Sequence, residues 1–245
     1  MKKITFGLRP VVVGMLLIGS SVAGASMITL NGSDVKFTYD DSLTGLFGAP
    51  SVSGNTLFFT PTAFNAISTN GAGTVITNSN MNILVTPKDG AKMSSVALQE
   101  RGDYSLKGAG SSVDVAGQLR AFDVNHSFTV FDSADITPTA PMTTVDNKYH
   151  DWTATSSLNL SSADWQKASA VNFTIENVLE ATTTGKASKA FVDKKFAGMQ
   201  ISVATGGGDG SGPPAAVPVP AAMWLFGSGL LGLVGVSRRG VSKGA

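Results

Sequence analysis

The chain of 245 residues contains no cysteine. That single absence excludes disulfides, thiolate metal sites and cysteine nucleophiles. Histidine is almost as scarce, with only His126 and His150. Neither an H-E-x-x-H pair nor a G-x-S-x-G elbow occurs, so two common hydrolase arrangements are missing. Charge is sparse, at 14% of residues. Six of the 18 basic residues (Lys2, Lys3, Arg9, Arg238, Arg239 and Lys243) lie in two end segments, 1–25 and 217–245, that hold no acid. The remainder therefore carries 12 basic against 17 acidic residues, a net of −5. Nucleic acid rewards clustered lysine and arginine, so no nucleic-acid partner is expected for this mildly acidic body.

The two ends read as addresses. Met1-Lys2-Lys3 precedes an apolar run from Val11 to Ile18 and small residues ending Ala23-Gly24-Ala25. These are the three regions of a secretory signal peptide, with Ala23 and Ala25 at the small-residue positions that signal peptidase requires. Cleavage is expected after Ala25, because the apolar run is short for about 30 Å of hydrocarbon. At the other end, residues 221–236 contain no charged side chain. Sixteen residues at helical rise reach about 24 Å, enough for a thin or locally thinned bilayer. Trp224 suits the outer interface, and Arg238, Arg239 and Lys243 favour the cytoplasmic side. The expected topology is a transmembrane helix in the unprocessed form, held in the inner membrane with the body outside. Gly227 to Gly232 spells G-x-G-x-x-G, but inside an apolar run and not after a strand, so it reads as close helix packing and not as a dinucleotide loop.

The segment Val217-Pro218-Val219-Pro220-Ala221-Ala222-Met223-Trp224-Leu225-Phe226-Gly227-Ser228-Gly229-Leu230-Leu231-Gly232-Leu233, followed by Arg238-Arg239, resembles the PEP-CTERM sorting domain. Val219 stands where the eponymous motif has glutamate. The resemblance is confined to this tail. It implies an exosortase as partner, export through the inner membrane and a surface or extracellular destination after processing. It also implies a link to exopolysaccharide and biofilm. Two prolines one residue apart hold the backbone extended, a form that a processing enzyme can grip.

Between the addresses, period-two patterns dominate. Val35 to Tyr39, Leu57 to Phe59, Met81 to Val85, Val113 to Phe122, Phe128 to Phe131, Val171 to Glu176, Ala190 to Val192 and Met199 to Val203 read as strands with one buried face. Gly, Ser, Thr and Asn fill the joints, including Ser68–Gly73, Lys88-Asp89-Gly90 and Lys107–Gly110. The pattern predicts an all-β fold over residues 26–205, a jelly-roll-like β-sandwich. Ser161 to Ala168 suits either a short helix capped by Ser161 or Ser162, or a connection into the Val171 strand. Residues 206–216 are rich in glycine and proline and read as a linker to the tail at 217–245.

Candidate chemistry in the body is thin. Asp146 to Trp152 is the string with most functional character, and His150, Asp151 and Trp152 suit a sugar site in which an aromatic face stacks on the ligand. The plainer reading is a loop entering a strand, with Trp152 in the core. Asp132, Asp135, Asp146 and Asp151 crowd one stretch, without EF-hand or calcium-repeat spacing; calcium is the one ion they suggest, and no cofactor is otherwise expected. Glu176 and Glu180 share a face if their strand continues, and Lys194-Lys195 reads as a solvated strand face. The expectation is an exported, non-enzymatic surface or extracellular-matrix protein. The alternatives are a carbohydrate-binding module and a secreted hydrolase, the latter without a nucleophile–base or metal-ligand spacing to support it.

Overall fold

The computed structural model describes residues 26–204. The signal-peptide residues, including Ala23 and Ala25, lie outside the described residues. So do the linker and the tail with Val217, Pro218, Val219, Pro220, the 221–236 helix, Arg238 and Arg239. Among the described residues no helix is long and apolar enough to cross a membrane.

Thirteen strands are described, six of them ten residues or longer. In chain order they are Met27–Asn31 (β1), Val35–Asp40 (β2), Ser51–Ser53 (β3), Thr56–Phe59 (β4), Asn65–Thr69 (β5) and Gly73–Pro87 (β6). Lys92–Lys107 (β7), Ser111–Asp123 (β8), Phe131–Asp135 (β9), Thr137–Pro138 (β10), His150–Asn159 (β11), Val171–Thr183 (β12) and Lys189–Ala204 (β13) follow. They form two sheets packed as a sandwich. One runs β1-β2-β6-β12-β8-β9; the other runs β10-β11-β7-β13-β4-β3, with β5 also paired to β13. The pairings are antiparallel, as expected for strands that bury one face and wet the other.

Alternation decides which face is which. In β12 the odd residues from Val171 to Thr183 are buried and the even ones are half-buried on the outside. Phe37, Phe47, Phe59, Phe64 and Phe173 fill the space between the sheets. Phe47 meets Phe59 and Phe64 edge-on, at 5.3 and 5.6 Å between centroids, the geometry that ring quadrupoles favour. The joints are set by turn chemistry. Asn70 and Gly71 both have positive φ (57° and 77°), the two left-handed positions of a type I′ turn, closed by the Ala72 amide donating to the Thr69 carbonyl at 3.1 Å.

One open sequence alternative is decided, and one expectation is corrected. Ser161–Ala168 forms no α-helix; it is the connection into β12, with one 3₁₀ turn over Trp165–Lys167. Asp164, not a serine, precedes that turn, and Trp165 is buried as the anchor. Phe128 to Val130 belongs to no strand. The His126 carbonyl accepts from the amides of Thr129 (3.0 Å) and Val130 (2.8 Å), so the chain is still turning there. β9 starts at Phe131, and Phe128 is left 95% exposed.

Truncating the two phenylalanines should therefore have opposite consequences. Phe173→Ala opens a cavity at the centre of the sandwich and is expected to cost about 3–5 kcal/mol. Phe128→Ala is expected to stay within about 0.5 kcal/mol of the parent. Urea denaturation midpoints of the two variants check the contrast.

Candidate functional site

Three polar side chains, Glu100, Asn177 and Lys194, stand among apolar inward neighbours in the middle of their strands. On β12 the series Val171, Phe173, Ile175 continues to Leu179 and Ala181, and Asn177 occupies the slot between. On β7 the inward series is Val96, Leu98, Tyr104 and Leu106, and Glu100 sits within it. On β13 Ala190 and Val192 lead to Lys194. A bulge follows: Lys194 pairs with Gly102 and Phe196 with Arg101, so Lys195 is the extra residue. Past it the inward phase moves to Ala197, Met199 and Ile201. β12 belongs to one sheet, β7 and β13 to the other, so the three side chains meet across the middle of the sandwich.

There the Lys194 Nζ donates to the Glu100 Oε2 and to the Asn177 Oδ1. The Asn177 Nδ2 donates to the same Glu100 oxygen at 3.2 Å and to the Glu176 carbonyl at 3.2 Å. The side chains of Lys194 and Glu100 have no exposed surface, and Asn177 is equally enclosed. Three rings wall the ammonium: Phe64 at 5.3 Å, Phe47 at 5.7 Å and Trp152 at 5.9 Å from Nζ to ring centroid. The Lys194 amide donates to the Phe64 carbonyl at 2.8 Å, which ties that wall to the strand. Burial drives the Lys194 pKa below its ordinary value, with the Glu100 charge and hydrogen bond opposing the shift. Among the described residues Glu100 Oε1 has no hydrogen-bond partner. The expectation of a solvated Lys194-Lys195 face is thus corrected. Only Lys195 turns outward, to pair with Asp103; the bulge separates the two lysines.

The sequence-predicted trio divides. Trp152 points inward, 4% exposed, and its Nε1 donates to the Asp193 carbonyl at 2.9 Å. A ligand at this place would meet His150 and Asp151, not the Trp152 ring. His150 Nε2 lies 2.8 Å from the Asp146 Oδ1, and the His150 ring packs 5.4 Å from that of Tyr104. The hydrogen bond from His150, with a second from the Lys148 amide, holds the Asp146 carboxyl below the usual range. Asp151 is exposed on β11. Nearby, Tyr149 is 64% exposed and stands edge-on to Phe191 at 5.6 Å; Ile67, paired with Phe191, is 46% exposed.

The remaining acids do not converge. Asp135 accepts from the Gln118 side chain at 3.2 Å. Glu176 pairs with Arg120 at 2.7 Å, and Glu180 accepts from Thr182 at 3.2 Å. Among the described residues no three of His, Asp or Glu come together as a cation-holding group. Sequence reasoning missed the Glu100–Asn177–Lys194 group, although a signal was present. Each of the three falls on an inward position of its strand once the alternation is carried through.

No curated protein is a sequence match to this chain. Solved structures that match include the infectious bursal disease virus VP2 subviral particle, at 9% identity over 74% of this chain and 47% of that one, with a TM-score of 0.20. The infectious bursal disease virus Gt strain matches at 9% identity over 80% of this chain and 60% of that one, with a TM-score of 0.18. The chain spans less than two thirds of either, and at such scores the likenesses bear on neither fold nor function. The informative match is to the tail. Residues 216–239 match the PEP-CTERM protein-sorting motif, on the segment that the sequence singles out. The chain therefore carries a PEP-CTERM sorting motif, the mark of an exported protein that an exosortase sorts to the surface or the exterior.

Proposed function

We propose that the sandwich is the cargo of its tail: a non-enzymatic protein of the cell surface or extracellular matrix, associated with exopolysaccharide or biofilm. The sorting motif at 216–239 carries this reading. The chemistry of the body supports it. The densest polar group, around Lys194, is sealed between the sheets, where no diffusing substrate reaches it. The outer acids and bases sit in separate pairs. Signal peptidase, exosortase and the inner membrane are the partners of the precursor.

One observation favours a second reading, a carbohydrate-binding module. Tyr149, Phe191 and Ile67 make an exposed apolar step beside the Asp146–His150 pair. Ring faces suit the apolar faces of sugars, and a carboxylate and an imidazole suit their hydroxyls.

Two measurements test these proposals. Intact-mass analysis of the protein from its native host is expected to show a product that begins at Ser26 and has lost its tail. In a host without exosortase the tail should be retained, and the same trimmed mass in both hosts would refute the sorting route. For the second reading, Tyr149→Ala is expected to weaken polysaccharide binding about tenfold, the equivalent of ~1.4 kcal/mol. Unchanged retention on an exopolysaccharide affinity gel would remove this surface from consideration.

A further inference from the structure

We propose that Lys194 and Asn177 become joined by an intramolecular isopeptide bond, made by the folded protein itself with Glu100 as the proton carrier. Alternation alone does not demand the placement of these three side chains. An amine, a carboxamide and a carboxyl group share one closed space, each in contact with the other two. A structural ion pair needs two of these groups, not three. This one is also poorly served as an ion pair, since Glu100 Oε1 lacks a partner among the described residues and the rings around Nζ replace water. The same surroundings suit a reaction in which an amine must shed its charge.

The chemistry balances without any added reagent. Lys194 passes a proton from Nζ to the Glu100 carboxylate that it touches, leaving a neutral amine and a neutral acid. Burial already biases Lys194 toward the neutral form. The Nζ lone pair attacks Cγ of Asn177, the carbon next to the Oδ1 that Nζ contacts. A C–N bond forms and the carbonyl oxygen takes the electron pair. Glu100 Oε2 already accepts from Asn177 Nδ2, so it is placed to deliver its proton there and to collect the next one from Nζ. The carbonyl re-forms, the Cγ–Nδ2 bond breaks, and Nδ2 departs as ammonia. Nothing is oxidised or reduced. The starting ammonium and carboxylate end as a neutral secondary amide and a neutral Glu100, so the product buries no charge. Holding the reactants in place replaces a bimolecular encounter, and the aromatic walls exclude the water that would compete. The event occurs once per molecule, which is compatible with a protein that turns over no substrate.

The bond would tie β12 of one sheet to β13 of the other, between residues 17 apart in sequence. The test is peptide mapping of the purified full-length chain, denatured and digested with trypsin. Trypsin should fail to cleave after Lys194. Peptide 168–186, which holds Asn177, should appear joined to peptide 190–195, lighter than their sum by one ammonia. Glu100→Gln keeps the volume but cannot carry the proton, and is expected to give the two peptides separately with cleavage after Lys194 restored. Asn177→Asp should give the same joined product by losing water instead. It keeps the proposal testable should Glu100→Gln fail to fold. Separate peptides from wild-type protein with a native β-sheet circular dichroism spectrum would overturn the proposal. Joined peptides in a folded Glu100→Gln protein would overturn the role of Glu100.

Discussion

The fold is organised around a polar group that a sandwich core does not ordinarily admit. Lys194 and Glu100 are buried completely between two sheets, with Asn177 completing their hydrogen bonds. Transfer of an isolated ion into such a space costs several kcal/mol even after relaxation, and the attraction of a partner only partly offsets it. Two consequences follow for the surroundings. Registers cannot slip, because a shift of one residue on β7, β12 or β13 would turn its polar side chain outward and leave the others unmatched. The bulge at Lys195 is also required. Without it, the even-numbered phase that brings Ala190, Val192 and Lys194 inward would continue past Phe196 and turn Met199 and Ile201 toward solvent.

That constraint bears on the export of the chain. A protein delivered outside the cell meets proteases and dilution, and many such proteins rely on disulfides. This one has no cysteine and must hold its shape by packing or by another covalent link. An amide between Lys194 and Asn177 would close a loop as a disulfide does. For residues 17 apart, the chain-entropy model gives about 3 kcal/mol for such a closure. Unlike a disulfide, an amide is indifferent to the redox state of its surroundings. The sorting tail gives the destination, and the buried group, once joined as an amide, would give persistence there.

Much of this was legible in the sequence, and the rest failed for local reasons. The apolar periodicity of Val171, Phe173 and Ile175 gave away β12, and turn residues such as Asn70-Gly71 marked the joints. The tail was readable because its apolar run, prolines and arginines are contiguous, so no tertiary contact is needed to interpret them. Phe128 misled because hydrophobicity does not report the backbone hydrogen bonds of the turn after His126. Lys194 misled because lysine is ordinarily solvated, and because Phe191, apolar but facing outward, blurred the phase between Ala190 and Val192. Trp152 was placed in the core by its plainer reading and stands there, leaving His150 and Asp151 at the surface beside Tyr149.

The buried group was hidden for a deeper reason. Its members are separated by 77 residues between Glu100 and Asn177 and by 17 between Asn177 and Lys194, and no short motif links them. What joins them is parity. An unbroken alternation fixes the face of every residue on a strand, so a polar residue at an apolar position is informative even where its neighbours in sequence are ordinary. One such exception is explained by a hydrogen bond to the backbone. Three exceptions, one on β12 of one sheet and two on β7 and β13 of the other, meet between the sheets, and each supplies the partner of the other two. Their complementary chemistry, base, acid and electrophile, distinguishes them from a chance cluster of polar residues.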